Sequence, residues 1–182
     1  VVMSGASLGL VLYDTGGYAL QGEGTVALQG VDGVDLSGTV RVEINRSAQV
    51  VQESISTGSD EVEVDFSSAD EVLRLYGSDM VLAIAGFVSV TGDFSFERGL
   101  SGVTMQLRLG ASNVSASLSA GGVSVEVTQA SLAMVVVQTA GVSRYALSAY
   151  GTAALEGVTG VTVSGSVGVR INTTGAAVSE EI

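Results

Sequence analysis

The chain contains no Cys, His, Lys, Pro or Trp. Without Cys there is no disulfide framework and no thiolate metal site. The joint absence of Cys, His and Lys removes Ser-His-Asp and Cys-His nucleophile chemistry, Schiff-base chemistry and every His-ligated metal. Without Pro, turns fall to Gly, Asn and Asp. Aromatics are only 5% of the 182 residues while hydrophobic residues reach 46%, so the core must be built from Val, Leu, Ile and Ala. Those side chains suit pleated sheets, where β-branched groups pack well. Basic residues are scarce: seven Arg stand against 19 Asp and Glu, for a net charge of -12. An acidic surface repels phosphate backbones and anionic lipid, so neither nucleic acid nor membrane insertion is expected. No apolar run approaches the roughly 20 residues of a spanning helix. The opening Val1-Val2-Met3-Ser4 is neither a start Met nor a signal peptide, and the chain reads as an excerpt from a longer protein.

What is present is an internal repeat. Residues 18–55 align without gaps on residues 145–182, with 20 identities in 38 positions. Among them are Tyr18/Tyr145, Gly24/Gly151, Gly33/Gly160, Gly38/Gly165 and Asn45/Asn172. Ala6-Ser7-Leu8 matches Ala130-Ser131-Leu132 once three extra residues near 141–143 are allowed. The period is 127 residues, so 1–127 is one full unit and 128–182 begins the next, matching 4–55. Gly and apolar positions persist between copies while charge drifts: Glu23 becomes Tyr150 and Glu43 becomes Arg170. A shape is kept and its polar surface is not.

Strict alternation marks half-buried strands. Residues 34–45 place Val34, Leu36, Val40, Val42 and Ile44 on one face and Asp35, Ser37, Arg41 and Glu43 on the other. Residues 18–29 behave alike, and 82–96 carries Leu82, Ile84, Val88, Val90, Phe94 and Phe96 in one phase. Shorter runs follow at 105–109, 114–118, 123–127 and 132–136. Turn signals separate the runs: Asp14-Thr15-Gly16-Gly17, Asp32-Gly33, Thr57-Gly58-Ser59-Asp60, Arg98-Gly99 and Ala120-Gly121-Gly122. Such short connections require antiparallel neighbours. Gly22, Gly24, Gly38, Gly86 and Gly92 interrupt the apolar phase and predict bends or bulges. Ser68-Ala69-Asp70-Glu71, followed by Val72-Leu73-Arg74-Leu75 and Gly77, predicts one short helix over 68–76. The expected fold is all-β: an antiparallel meander of long, Gly-kinked, amphipathic strands forming a sandwich or flattened barrel. An elongated β-solenoid is the alternative, since Leu20, Leu28 and Leu36 form a regular octad.

No residue set points to catalysis, a cofactor or a bound metal. The densest acidic group is Asp60, Glu61, Glu63, Asp65, Asp70 and Glu71. Glu61, Glu63 and Asp65 alternate with Val62, Val64 and Phe66, which reads as the wet face of a strand. Asp14, Asp32 and Asp35 sit at turns where Ca²⁺ ligands can gather, but their counterparts in the second copy are not acidic and no EF-hand loop is present. Calcium is the one ion the inventory leaves open. The sequons at Asn45, Asn113 and Asn172 read first as turn-forming Asn, and Tyr150 with its Ser- and Thr-rich surroundings is the one feature suited to a glycan.

The segments Ala6-Ser7-Leu8-Gly9-Leu10-Val11-Leu12, residues 18–45 and Ala85-Gly86-Phe87-Val88 through Gly92-Asp93-Phe94-Ser95-Phe96-Glu97 carry a resemblance. The repeat resembles units of very long bacterial surface proteins, the giant adhesin-like and filamentous repeat proteins. That resemblance implies export to the cell surface, tandem arrays, and a structural role in adhesion or filament building rather than an enzyme activity. The expected partners are neighbouring copies of the unit and cell-surface glycans.

Overall fold

In a computed structural model, residues 2–14, 16–29, 31–101, 104–139 and 141–179 are described. They form eleven strands, and no helix occurs among them. These are β1 (Val2–Leu12), β2 (Tyr18–Ala27), β3 (Val34–Asn45), β4 (Val51–Ser56), β5 (Glu61–Phe66), β6 (Val72–Ile84), β7 (Val88–Ser101), β8 (Thr104–Ala120), β9 (Val123–Thr139), β10 (Val142–Glu156) and β11 (Val163–Asn172). Nine of them make one antiparallel meander in the order β1-β2-β3-β6-β7-β8-β9-β10-β11. The sheet is open and flattened, with β1 and β11 at its edges, and it does not close into a barrel. Consecutive hairpins rather than stacked coils account for the Leu octad: Leu20 lies on β2, Leu36 on β3 and Leu28 in the link between them.

Strand pairing sorts the side chains cleanly. The pairs Glu43↔Arg74, Arg74↔Glu97 and Glu97↔Arg108 run across one face, and Ile44↔Leu73, Leu73↔Arg98 and Leu75↔Phe96 run across the other. One face is apolar and the other polar over most of the sheet. The separate hairpin β4–β5 packs on the polar face, over β1 and β2, where that face turns apolar at one end. Ala19, Val51, Val64, Phe66 and Val72 are buried there, with Val11, Tyr13 and Ile55 against them. Gly9 makes the approach possible, because a Cβ at that position would stand 2.5 Å from Val64 Cγ2. The molecule is two-layered at this end and single-layered elsewhere.

Three expectations are corrected. Residues 68–76 are not helical. The Ser68 hydroxyl donates to Asp70 Oδ2 at 2.6 Å and accepts from the Asp70 N–H at 3.2 Å, so the predicted cap closes a local turn. Val72 to Tyr76 then enter the sheet between β3 and β7, where pairing on both sides outweighs a weak helical preference. Residues 82–96 are two strands, split by a turn in which Ala85 and Gly86 both have positive φ and the Phe87 N–H donates to the Ile84 carbonyl. Arg98-Gly99 is no turn but lies inside β7, with Gly99 opposite Val72 and Gln106.

The Gly-marked bends are present, in a form the sequence only half reveals. β1, β6, β8 and β9 each shift register at a bulge whose extra residue has positive φ: Gly5, Asp79, Asn113 and Gln129. The inserted residue switches which parity is apolar, so Met105, Leu107 and Leu109 share a face with Val114, Ala116 and Leu118 on one strand. Likewise 123–127 and 132–136 are both β9. Several Gly residues sit on the neighbouring strand opposite the bulge. A Cβ on Gly92 would meet the Ser112 carbonyl oxygen and Val114 Cα, each at 3.1 Å.

Candidate functional site

Four arrangements stand out on the two faces. The first is a charged ladder crossing β3, β6, β7 and β8 on the polar face. Arg74 contacts Glu43 Oε2 at 3.5 Å through Nη1 and Glu97 Oε2 at 2.6 Å through Nε, and Arg108 Nη1 reaches Glu97 Oε1 at 2.6 Å. Arg41 closes the row at 2.6 Å from Glu43 Oε1. Burial alone would raise the Glu97 carboxyl, but hydrogen bonds and charge from Arg74 and Arg108 hold it below the usual range. The ladder is tied to the hairpin: Gln21 donates to Glu43 Oε1 at 3.1 Å and accepts the Asp65 N–H at 3.1 Å. Alternation alone does not group these residues, since only the register brings them opposite one another.

The second arrangement is a line of bulges on the same face. Asp93 accepts the Asp79 backbone N–H at 3.0 Å and the Asn113 amide at 2.8 Å, so one carboxylate braces the bulges of both flanking strands. Both bonds hold its pKa below the ordinary value, the Asn113 bond more strongly. Next along the line, Tyr150 is 65% exposed and borders a shallow depression of about 420 Å³ with Asn113, Gln129 and Ser131. Its counterpart in the first copy is Glu23.

The third is a repeated Asn turn. Asn45 is fully buried; its amide donates to the carbonyls of Gln49 and Ser68, and its oxygen accepts from the Ser47 N–H and hydroxyl. Asn172 donates to the Ala176 carbonyl and accepts from the Thr174 N–H and hydroxyl in the same pattern. Both residues therefore act as strand terminators, and Asn45 has no surface for a glycan. Around Asn172, the residues Val135, Ala146 and Val178 correspond to Val11, Ala19 and Val51 of the core, and they line an open groove of about 430 Å³.

The acidic residues singled out in sequence do not converge. Glu61, Glu63 and Asp65 lie on the exposed side of β5, Asp60 belongs to the β4–β5 turn, and Asp70 and Glu71 precede β6. Asp14 and Asp32 are in turns and Asp35 is exposed on β3. The Asp32-Gly33 turn has positive φ at Gly33 and not at Asp32, and Gly160 reproduces it in the second copy. Among the described residues, no three acidic side chains gather closely enough to hold a metal ion.

The fourth arrangement is the apolar face itself. Leu8, Leu75, Phe94, Leu118, Val125 and Val169 are all exposed on it. Compared with known protein families, curated proteins and solved structures, the chain matches none of them.

Proposed function

We propose that this chain is a structural repeat whose units extend one continuous antiparallel sheet, serving as building material of an extracellular bacterial filament or adhesin. The observation that carries the reading is that β9–β10–β11 repeats β1–β2–β3 inside the same sheet. Ala19↔Asn45 becomes Ala146↔Asn172, and Gly24↔Val40 becomes Gly151↔Val167. The bulge at Gly5 recurs at Gln129, and the Asn45 turn recurs at Asn172. The second unit starts no new domain; it adds strands to the first. Each period of 127 residues contributes β1, β2, β3, β6, β7 and β8 to the sheet and β4–β5 to its surface. A non-catalytic role is also supported by a composition without His, Cys or Lys.

Six strands at about 4.8 Å each predict growth of about 29 Å per added repeat along the stacking direction. Small-angle scattering on chains of one, two and three units measures this directly. A linear increment near that value supports the reading, whereas beads on flexible linkers would sink it. Protease accessibility on intact cells tests the surface location.

A second reading is favoured by Tyr150 alone. An exposed phenol ring beside a shallow depression lined by Asn113, Gln129 and Ser131 supplies a stacking platform for a sugar. Glycan binding that disappears in Tyr150→Ala would support it; unchanged binding would remove it.

A further inference from the structure

We propose that the apolar face of the nine-stranded sheet is the interface with a second copy of the chain, two sheets packing face to face. Among the described residues, no part of this chain covers that face. The β4–β5 hairpin lies on the opposite side, and apart from its contact with β1 and β2 the strands meet essentially only their hydrogen-bonded neighbours. Large side chains therefore stand in the open: Leu8 is 64% exposed, Leu118 56% and Val169 53%.

The extent of the surface indicates a protein-sized occupant. Nine strands at about 4.8 Å spacing and ten residues at about 3.3 Å give roughly 43 Å by 33 Å, or about 1,400 Å². A soluble monomer rarely exposes a contiguous apolar patch above a few hundred Å². A specific interface needs about 800 Å² from each partner, so the face exceeds the requirement of a stable dimer. Two such sheets pack about 10 Å apart with their side chains interdigitated.

Charge selects a copy of the same chain. The net charge is -12, so contact through most surfaces would press carboxylates together. The strand carboxylates of Glu23, Glu43, Asp93, Glu97, Glu126 and Glu156 instead fall on the polar face, as the strand registers require. The apolar face carries Arg98 as its one charged strand residue among those described, and Arg98 Nε lies 3.2 Å from Met105 Sδ. Two copies can meet there without repulsion, while a single guanidinium gives little attraction for an anionic lipid surface. The inference rests on the fold and not on the tiling reading, so either stands if the other fails.

Sedimentation velocity and light scattering of the full chain at about 1 to 100 µM test the proposal. A two-chain species is expected. Leu118→Lys and Val167→Lys, at positions already exposed in the single chain, should each raise the dimer dissociation constant at least tenfold. Ser117→Lys, on the polar face beside Leu118, should not. Circular dichroism checks that each variant keeps its strands. A chain that stays monomeric at 100 µM, or a dimer indifferent to both apolar-face substitutions, overturns the proposal. So does a monomer that floats with phosphatidylcholine vesicles, which would assign the face to lipid.

Discussion

Asn45 closes a strand, turns the chain and anchors the segment before β6 with one amide group, and all its polar atoms are satisfied out of water. Removing it takes the partner from the buried Ser47 N–H, where an unmet donor costs about 1–3 kcal/mol, and breaks the part-buried bonds to the Gln49 and Ser68 carbonyls. Asn45→Ala is therefore expected to lower the urea midpoint strongly, and Asn172→Ala, whose equivalent bonds are exposed, only weakly. Glu97 makes a pH prediction. Its carboxyl is held down in the folded chain, so its stabilising contribution is complete above the unfolded value of about 4.3 and is lost as pH falls through the lower folded value. Urea midpoints measured between about pH 5 and 3 should fall, and Glu97→Gln should flatten the fall. The Asn pairing was legible because the two copies shared it. The ladder was not, because alternation assigns a side chain to a face without saying what stands opposite.

At the scale of elements, the sheet owes its length to the bulges. A 17-residue strand that twists without relief drifts out of pairing with its neighbours, and an extra residue in the left-handed region re-aims it. The signal was present as a change of phase: apolar residues at 105, 107 and 109, then at 114, 116 and 118. Gly110 and Asn113 between the runs also allow a turn, and only the continuous pairing with β7 and β9 makes the runs one bulged strand rather than two short ones. The mistaken helix has the same root, since Val72-Leu73-Arg74-Leu75 fits either period over so short a span and only partners decide. Two substitutions test the bulge account. Gly92→Ala forces a methyl onto the backbone of Ser112 and Val114, and a loss of about 1–3 kcal/mol is expected. Gln129 holds a positive φ at the place where the first copy has Gly5. Gln129→Gly should therefore raise stability by up to about 1 kcal/mol, by removing a left-handed Cβ. Thermal or chemical denaturation reads both. If Gln129→Gly instead destabilises by a similar amount, the glutamine side chain matters more than its backbone.

At the scale of the molecule, the same alternation that made the fold legible concealed where its core would be. Period-2 patterning promises that Leu36, Val40 and Ile44 turn toward something dry, and the expected antiparallel meander in a sandwich or flattened barrel is present as a flattened sheet that does not close. What patterning did not place is the core: the small cluster of Ala19, Val51, Val64, Phe66 and Val72 forms on the polar side beneath a two-stranded hairpin. Phe66→Ala should cost about 3–5 kcal/mol there and release the hairpin first, visible as early loss of amide protection over β4 and β5. The larger apolar face contributes to stability only when two chains share it, which couples folding to concentration. A tenfold rise in concentration adds about 1.4 kcal/mol to the paired state. For chains of this size that corresponds to a rise in Tm on the order of 2 °C. Calorimetry over two decades of concentration should therefore shift the transition upward for the wild-type chain. It should shift Leu118→Lys less, because a sheet whose dry face pairs more weakly melts more nearly as a single chain.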